Sequence, residues 1–341
     1  MYYKDLFLNF TDLVFYLSDF LDDTSSFRLF NTKRSLNYIV KNCSFKYTVK
    51  RPLSNDHYFN KSLLKYKIKI YYESRDLPIE LLDIPKNVQE LHFKNIDGKF
   101  NQSLDDLPSN LKKLVISSST FNQSLDKLPK SLTDLDLKCC RNFNQSIDNL
   151  PSSLKILNLG GILGNFNQSV DNLPLSLEHL TLGAYFDKSL DNLPKSLLSL
   201  HLEGSRFNKS INNLPKGLLS LKLEVPFFNQ SLDRLPESLL YLYLQGNFNQ
   251  SINYLPKNLL SLKLTGRFNQ SVDKLPSKLQ ELTLGYYFNQ SLDKLPENLR
   301  VLDLQSCMRF DKTIYIDYLP KGLKELILTK FIRTKNCNDL S

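Results

Sequence analysis

The 341-residue chain lacks tryptophan altogether and has only 11 glycines and 5 cysteines. The cysteines are scattered and form no Cys-x-x-Cys pair, which argues against a disulfide ladder and favours a reducing compartment. No apolar run approaches the roughly 20 residues that span a bilayer. Lys4 and Asp5 interrupt the apolar N-terminus, so no signal peptide is predicted. We therefore expect a protein of the cytoplasm or nucleus that is not secreted and has no membrane partner.

Sequence motifs of catalysis are also missing. The chain has no glycine-rich phosphate loop, no nucleophile elbow and no His-Glu-x-x-His helix. His179 and His201 are predicted to lie on neighbouring strands, with Glu203 two residues further on, but a zinc ion would need another fixed ligand. We predict a protein that is not an enzyme and that holds no metal and no cofactor.

Positive charge is concentrated in one segment. The formal net charge is +9, and residues 33–69 carry ten lysines and arginines against the single acid Asp56. We interpret this segment as a solvated, lysine-rich surface and expect no nucleic-acid partner. The alternative, a nucleic-acid binder led by residues 33–69, predicts an affinity that falls steeply with salt.

What fills most of the chain is a repeat. The motif Phe-Asn-Gln-Ser-Leu-Asp-x-Leu-Pro recurs, with variations, every 20–23 residues. A fixed period of this length predicts a solenoid, in which stacked units share one core and offer an extended binding surface. The copies, the last of them degenerate, start at Phe100, Phe121, Phe143, Phe166, Phe186, Phe207, Phe228, Phe248, Phe268, Phe288 and Phe310.

Each unit also carries a strand pattern. Apolar residues stand three, six and eight positions after the repeat proline, as Leu239, Leu242 and Leu244 do after Pro236. This Leu-x-x-Leu-x-Leu spacing is typical of leucine-rich-repeat strands, and alternation turns its leucines into the core. We predict a parallel β-sheet of about twelve strands over residues 82–330, with an exposed concave face. The twelve prolines are Pro85, Pro108, Pro129, Pro151, Pro174, Pro194, Pro215, Pro236, Pro256, Pro276, Pro296 and Pro320.

The rest of each unit is too short and too proline-bound for a regular helix, so the convex segments are predicted to be extended or single 3₁₀ turns. Stacked Asn side chains are expected to bond backbone groups of these turns. The Asn-Gln-Ser triplets also match the N-glycosylation pattern, but we interpret them as structural because a glycan there would obstruct stacking. The alternative is that the Asn-Gln pair binds a ligand.

The unit resembles the FNIP repeat, a leucine-rich-repeat relative found in social amoebae and in giant viruses that infect amoebae. The resemblance covers about residues 82–330. Gln-Ser stands where the name-giving Ile-Pro would be, for example at Gln250-Ser251. The resemblance implies a leucine-rich-repeat-like solenoid, which would work in the host cytoplasm if the protein is viral.

Residues 1–42 lack the repeat and carry a helical pattern. Leu13, Leu17 and Leu21 follow one another at helical spacing and trace an apolar stripe. The polar run 22–25 breaks that stripe and can cap a second helix. So small a helical unit exposes more apolar surface than it can bury alone, so we expect it to dock on something.

This segment resembles an F-box, the module that binds the Skp1 subunit of cullin-based ubiquitin ligases. The resemblance rests on Asp12-Leu13-Val14, Leu17-Ser18 and Phe20-Leu21-Asp22, although the opening Leu-Pro of the family is replaced by Leu8-Asn9-Phe10. The alternative is a helical cap on the solenoid. The residues that the resemblance implies would face a Skp1-like protein are Leu13, Val14, Leu17, Phe20 and Leu21.

Two further segments flank the array. Residues 43–81 are predicted to form a basic linker with a capping strand, because Leu64–Tyr72 alternates between apolar and basic residues. Residues 331–341 are predicted to be a polar tail.

Together the resemblances imply a substrate-recruiting adaptor of a Skp1-cullin-F-box-type ubiquitin ligase that binds a target protein on the concave face. A binding scaffold without ligase function and a Skp1 decoy are the alternatives. Tyrosines and charged side chains on a rigid surface suit hot-spot recognition, so we expect target contacts at outward positions of the middle strands. These positions are His179, Thr181, His201, Glu203, Lys222, Glu224, Tyr241, Tyr243 and Lys263.

Overall fold

The computed structural model describes residues 45–49, 68–72, 84, 86, 88–93, 100–204, 206–330 and 332–335. The F-box-like segment of residues 1–42 lies outside the described residues, and so do its five predicted Skp1-facing side chains. No helix in the described part of the chain has the length and hydropathy needed to cross a membrane.

Sixteen strands make up nearly all of the regular structure in the described residues. One 3₁₀ turn, Ile316–Tyr318, accompanies them. The strands are β1 Phe45–Val49, β2 Ile68–Tyr72, β3 Val88–Phe93, β4 Lys113–Ile116, β5 Asp134–Asp136, β6 Ile156–Leu159, β7 His179–Leu182, β8 Ser199–Glu203, β9 Ser220–Glu224, β10 Tyr241–Gly246, β11 Ser261–Gly266, β12 Glu281–Leu284, β13 Val301–Leu304, β14 Thr313–Tyr315, β15 Glu325–Leu328 and β16 Arg333–Lys335.

Fourteen of these strands form one sheet in chain order, from β1 through β13 and then β15. All pairs are parallel, and each repeat supplies one strand, so Leu242 of β10 lies beside Leu221 of β9 and Leu262 of β11. The predicted parallel solenoid is therefore confirmed. β2 lies in the segment for which alternation predicts a strand, and β1 adds one more strand that the sequence pattern does not indicate.

The core is built from the same three positions in every unit. In the unit of Pro236, Leu239, Leu242 and Leu244 are at most 2% exposed, because alternation turns them away from solvent. Each motif phenylalanine completes the layer and stacks on the next, with ring centroids 5.9–6.4 Å apart from Phe100 to Phe310. The leucines and phenylalanines that recur from unit to unit therefore form the core.

The convex segments are turns without regular helix, as predicted. In the unit of Pro129 the turn closes with Leu128 N–H donating to the carbonyl of Leu125 and Leu132 N–H donating to that of Pro129. Asn side chains link successive turns: Asn122 N–H donates to Asn101 Oδ1 at 2.9 Å, and the same bond recurs along the array. The expectation that these Asn side chains bond turn backbone is confirmed.

The C-terminal end departs from the regular pattern. β14 and β16 form a separate two-stranded parallel sheet, with Ile314 beside Thr334. β16 falls in the segment predicted as a polar tail, where the sequence shows no strand alternation. Parallel pairing with β14 supplies its backbone partners instead.

Candidate functional site

The side of the 14-stranded sheet opposite the leucine core, here called the outer sheet face, carries the nine predicted contact residues. Side chains on this face stand in rows across the strands, because the register pairs one position of each repeat with the same position of the next. One row contains Thr181, His201, Lys222, Tyr243 and Lys263 in adjacent strands.

The other predicted residues occupy the two flanking rows. His179 and Tyr241 belong to the row nearer the start of the strands, where Ser199 and Ser220 separate them. Glu203 and Glu224 are side by side at the ends of β8 and β9. His179 and Tyr241 are exposed, whereas Glu203 and Glu224 are partly buried. The structure therefore brings the middle and last rows into contact and leaves His179 and Tyr241 apart from them.

Five of these residues form a connected group, here called the central cluster: His201, Lys222, Glu224, Tyr243 and Lys263. Glu224 Oε2 lies 2.8 Å from His201 Nε2 and 2.9 Å from Lys222 Nζ. Because an ionised carboxylate only accepts hydrogen bonds, the His201 contact requires the ring proton on Nε2. Lys222 and Lys263 place their ammonium groups 5.5 and 5.1 Å from the centre of the Tyr243 ring.

The electrostatics of Glu224 follow from these contacts. Burial by itself would raise the pKa of Glu224, but hydrogen bonds from Lys222 and His201 outweigh that effect and hold the pKa below its usual range. Glu224 therefore stays ionised at neutral pH and keeps both partners oriented.

A neighbouring ion pair shows why a glycine is required nearby. Lys138 Nζ reaches to 3.2 Å from Glu203 Oε2, although the two residues are three repeats apart. A side chain at Gly160 would meet Glu203 Oε2 at 3.1 Å and Thr181 Cγ2 at 2.7 Å, so glycine keeps this approach open. The pair turns Glu203 away from Glu224, its like-charged neighbour across the strands.

His179 and His201 lie on the neighbouring strands β7 and β8, but in different rows of the outer sheet face. His201 lies beside Thr181, and its side chain binds Glu224 of the following strand instead of Glu203. The register displaces the two histidines by two residues, onto different rows. No group of three or more His, Cys, Asp and Glu side chains that could hold a metal ion occurs in the part of the chain that the structure describes.

Two contributors to this face, Gln245 and Thr265, are absent from the predicted contact residues. Tyr243 donates its hydroxyl proton to Gln245 Oε1 at 2.7 Å, and Thr265 Oγ1 lies 3.5 Å from the same hydroxyl. Gln245 and Thr265 extend the row of Glu203 and Glu224, as the register shows. Counting from each repeat proline would have found them, since both stand nine residues after it.

The arrangement suits binding. It offers charged groups, one aromatic ring and hydroxyls on a rigid sheet, and its histidine is engaged with a carboxylate. Lysine, tyrosine and glutamate side chains fixed in this way can hydrogen-bond a partner without first losing much conformational freedom.

Comparison with known proteins agrees with the fold. The model of the FNIP repeat matches residues 100–140, 143–185, 166–202, 228–267 and 268–307, which together are more than half of the chain. No match to a curated protein sequence was found.

Solved structures with a similar fold are leucine-rich-repeat proteins. CroV588, described as a novel circular LRR protein, is 27% identical with a TM-score of 0.52, covering 80% of this chain and 51% of that chain. The functional domain of InlJ from Listeria monocytogenes, which includes a cysteine ladder, is 14% identical with a TM-score of 0.54, covering 70% and 54%. Internalin InlF of the same organism is 16% identical with a TM-score of 0.49, covering 72% and 82%. The chain thus spans about half the length of CroV588.

Proposed function

Because the chain belongs to the FNIP repeat family and forms a leucine-rich-repeat-like scaffold suited to protein binding, we propose that it is a non-enzymatic adaptor that holds a target protein on its outer sheet face. The central cluster is the observation that carries this proposal. It concentrates a half-buried tyrosine, two lysines and a paired glutamate at the middle of a rigid sheet. Tyrosine is among the residue types that supply most of the binding energy at the centre of known interfaces, and the charged neighbours hold this ring in place.

Photo-crosslinking tests this placement. A benzoylphenylalanine at position 243 should crosslink the target protein, whereas the same residue at position 254, where the native tyrosine is 71% exposed on the convex side, should not. Lys222→Glu should reduce the product from position 243, because it replaces the cationic partner of Glu224 by a second carboxylate. Equal crosslinking from both positions would show that the outer sheet face is not the binding surface.

The finer part of the proposal is that the adaptor serves a ubiquitin ligase. It is supported by the F-box-like pattern of residues 12–22, which precedes the repeats. In this role the N-terminal apolar stripe binds a Skp1-like protein, and other subunits transfer ubiquitin to the target. The protein would then act in the cytoplasm, of the host if it is viral, or in the nucleus.

Co-purification of the full chain with Skp1 tests that role. Leu17→Asp and Leu21→Asp should each abolish Skp1 binding, because a carboxylate cannot enter an apolar interface without a partner. Thr24→Asp, a change in the polar run, is the matched control and should bind as the unaltered chain does. If the unaltered chain fails to bind Skp1, the ligase role is wrong and the protein is a scaffold without ligase function. The proposed role of the outer sheet face does not depend on this result.

A further inference from the structure

The loops that follow the strands form one edge of the solenoid, and their composition differs from that of the rest of the surface. Between residues 117 and 309 these loops contain Lys138, Arg141, Arg206, Arg267 and Arg309, and they contain no acidic residue. The four arginines are exposed, and within the described residues none of them forms an ion pair with a carboxylate. The arginines of this edge therefore carry uncompensated positive charge, whereas Lys138 is paired with Glu203.

Tyrosine rings hold three of these arginines in place. The guanidinium carbon of Arg206 lies 5.1 Å from the centre of the Tyr185 ring. Arg267 lies 5.9 Å from Tyr287, and Arg309 lies 5.5 Å from the same ring. We call these five residues, with Tyr286, the arginine–tyrosine rim. A guanidinium stacked on a ring keeps its N–H donors directed outward, which lowers the entropy lost on binding.

The backbone beneath the rim is also fixed. Arg206 N–H donates to the carbonyl of Ala184, Arg267 N–H to that of Gly246, and Arg309 N–H to that of Tyr286. Gly266, just before Arg267, has a φ of 96°, and a side chain there would collide with the Gly246 carbonyl oxygen. Glycine is therefore needed for this loop to stack on the previous one, and the stack presents Arg206, Arg267 and Arg309 along one edge, three and two repeats apart.

Apolar side chains share the same loops. Ile162 is 71% exposed, Phe227 57% and Met308 51%. These exposures contrast with the repeated leucines and phenylalanines, which are committed to the core. Phe227, like the rim tyrosines, has a flat face on which a base can stack, but Ile162 and Met308 are aliphatic and have none. A partner with its own apolar side chains would bury them.

We infer that the arginine–tyrosine rim is a second docking surface, and that its occupant is an extended protein segment in which carboxylates alternate with apolar residues. Each arginine guanidinium can donate two parallel hydrogen bonds to a carboxylate of the segment. The exposed apolar side chains of the loops then contact the apolar residues that stand between those carboxylates. The proposal is independent of the outer sheet face, because it uses the loop edge and none of the residues of the central cluster.

The dimensions of the rim set the length of the segment. The phenylalanine stack under the rim advances 6.1–6.4 Å per repeat from Phe186 to Phe310. Six repeats then span roughly 37 Å, which is the length of about 11 extended residues. A probe of twelve residues is therefore long enough to contact the whole rim.

Fluorescence anisotropy with the full chain tests the inference. The probe is a fluorescein-labelled twelve-residue peptide in which Glu and Asp alternate with Leu and Phe. We expect saturable binding that weakens as salt is raised, because the attraction is between exposed charges. A peptide with Lys in place of each acid should not bind. Absence of binding by the acidic peptide would overturn the proposal.

Matched variants locate the site. The triple substitution Arg206→Gln, Arg267→Gln and Arg309→Gln should weaken binding of the acidic peptide at least tenfold. The control variant loses the same number of positive charges, but from exposed convex positions. It carries Lys216→Gln, Arg234→Gln and Lys274→Gln and should change the affinity less than twofold. Equal losses in the two variants would show that only net charge matters, which contradicts a specific rim.

Two further measurements distinguish arginine–carboxylate pairing from simple charge attraction and from nucleic-acid binding. Replacing the same three arginines by lysine keeps the charge and removes the fork, so it should still weaken binding severalfold. A labelled oligothymidylate of twelve nucleotides should bind at least tenfold more weakly than the acidic peptide. If the oligonucleotide binds as tightly and also depends on the rim, the surface binds nucleic acid and the protein-segment proposal is wrong.

Discussion

At the scale of the residue, the structure separates side chains that look alike in the sequence. Phe227 and Phe228 are adjacent, yet Phe227 is 57% exposed on the loop edge and Phe228 is 1% exposed in the phenylalanine stack. Cys139 and Cys140 differ in the same way, the first being exposed and the second buried. Such pairs allow each structural role to be tested against a control one position away.

The phenylalanine pair tests the contribution of the stack to stability. Phe228→Ala should lower the free energy of unfolding by about 3–5 kcal/mol, because it removes a buried ring and leaves a cavity between Phe207 and Phe248. Phe227→Ala should change it by less than about 0.5 kcal/mol, as is usual for an exposed position. Urea denaturation followed by circular dichroism gives both values. Similar losses in the two variants would contradict the stack as the source of stability.

The cysteine pair tests burial through chemistry. Burial raises the pKa of the Cys140 and Cys307 thiols to about 12, so almost no reactive thiolate forms at neutral pH. N-ethylmaleimide at pH 7.5 should therefore label Cys139 and leave Cys140 and Cys307 unlabelled, as read by mass spectrometry of the peptides. Unfolding in denaturant should make all three react. Fast labelling of Cys140 in the folded protein would refute its buried position.

The pairing of Glu224 predicts a dependence on pH. Its folded-state pKa is below the unfolded value of about 4.3, so the ion pair stabilises the protein above that value and is lost as the pH falls through the folded pKa. Glu224→Gln should therefore reduce stability at pH 7, by no more than about 1 kcal/mol for a partly exposed pair, and by less at pH 3. Glu297→Gln, at an exposed position, is the control: its effect on stability should be the same at pH 7 and at pH 3.

At the scale of the element, an asparagine joins most convex turns to the next one. Asn249 accepts the backbone N–H of Asn269 at 2.8 Å and the side-chain N–H of Gln270 at 3.3 Å. The side-chain oxygen of Asn249 accepts both bonds, whereas Asp187, which holds the same position in another unit, donates its own backbone N–H to Asn167 Oδ1. Because the asparagine of one turn supplies the acceptor for the next turn, these bonds couple neighbouring repeats.

This coupling predicts different outcomes for two substitutions at one position. Asn249→Ala should destabilise the protein by about 0.5–1.5 kcal/mol, because it removes the hydrogen bond that the Asn269 N–H donates across the repeats. Asn249→Asp keeps an oxygen in place and should cost less than half as much. Thermal and urea unfolding of the two variants provide the comparison. Equal destabilisation would mean that the amide group, and not its oxygen, is required.

Sequence patterns locate the side chains whose positions are set within one repeat, but not the contacts that form between repeats. The strand positions of Leu239, Leu242 and Leu244 repeat within every unit, so alternation and spacing suffice to place them. The contact of His201 with Glu224 depends on the register between strands and on side-chain conformation. Register could have been counted from the prolines, but the conformations that build the central cluster could not.

At the scale of the whole molecule, the array is quasi-one-dimensional, since each strand of the sheet pairs only with its neighbours in sheet order. The middle strands are therefore supported on both sides, whereas β15 is the last strand of the sheet among the described residues and pairs there only with β13. The burial of the leucines follows this order. Leu242 and Leu244 of β10 are at most 2% exposed, whereas Leu326 and Leu328 of β15 are only partly buried.

Amide hydrogen exchange should therefore show a gradient along the sheet. We expect the backbone amides of β15, residues 325–328, to exchange at least tenfold faster than those of β10, residues 241–246, because opening the terminal strand breaks one interface instead of two. Low concentrations of urea provide the control. Local opening exposes little surface, so exchange of β15 should respond weakly to urea, while exchange of β10 should respond strongly because it requires unfolding of several repeats. Equal protection of β15 and β10, with equal urea dependence, would mean that the array unfolds as a single unit and that its end is as stable as its centre.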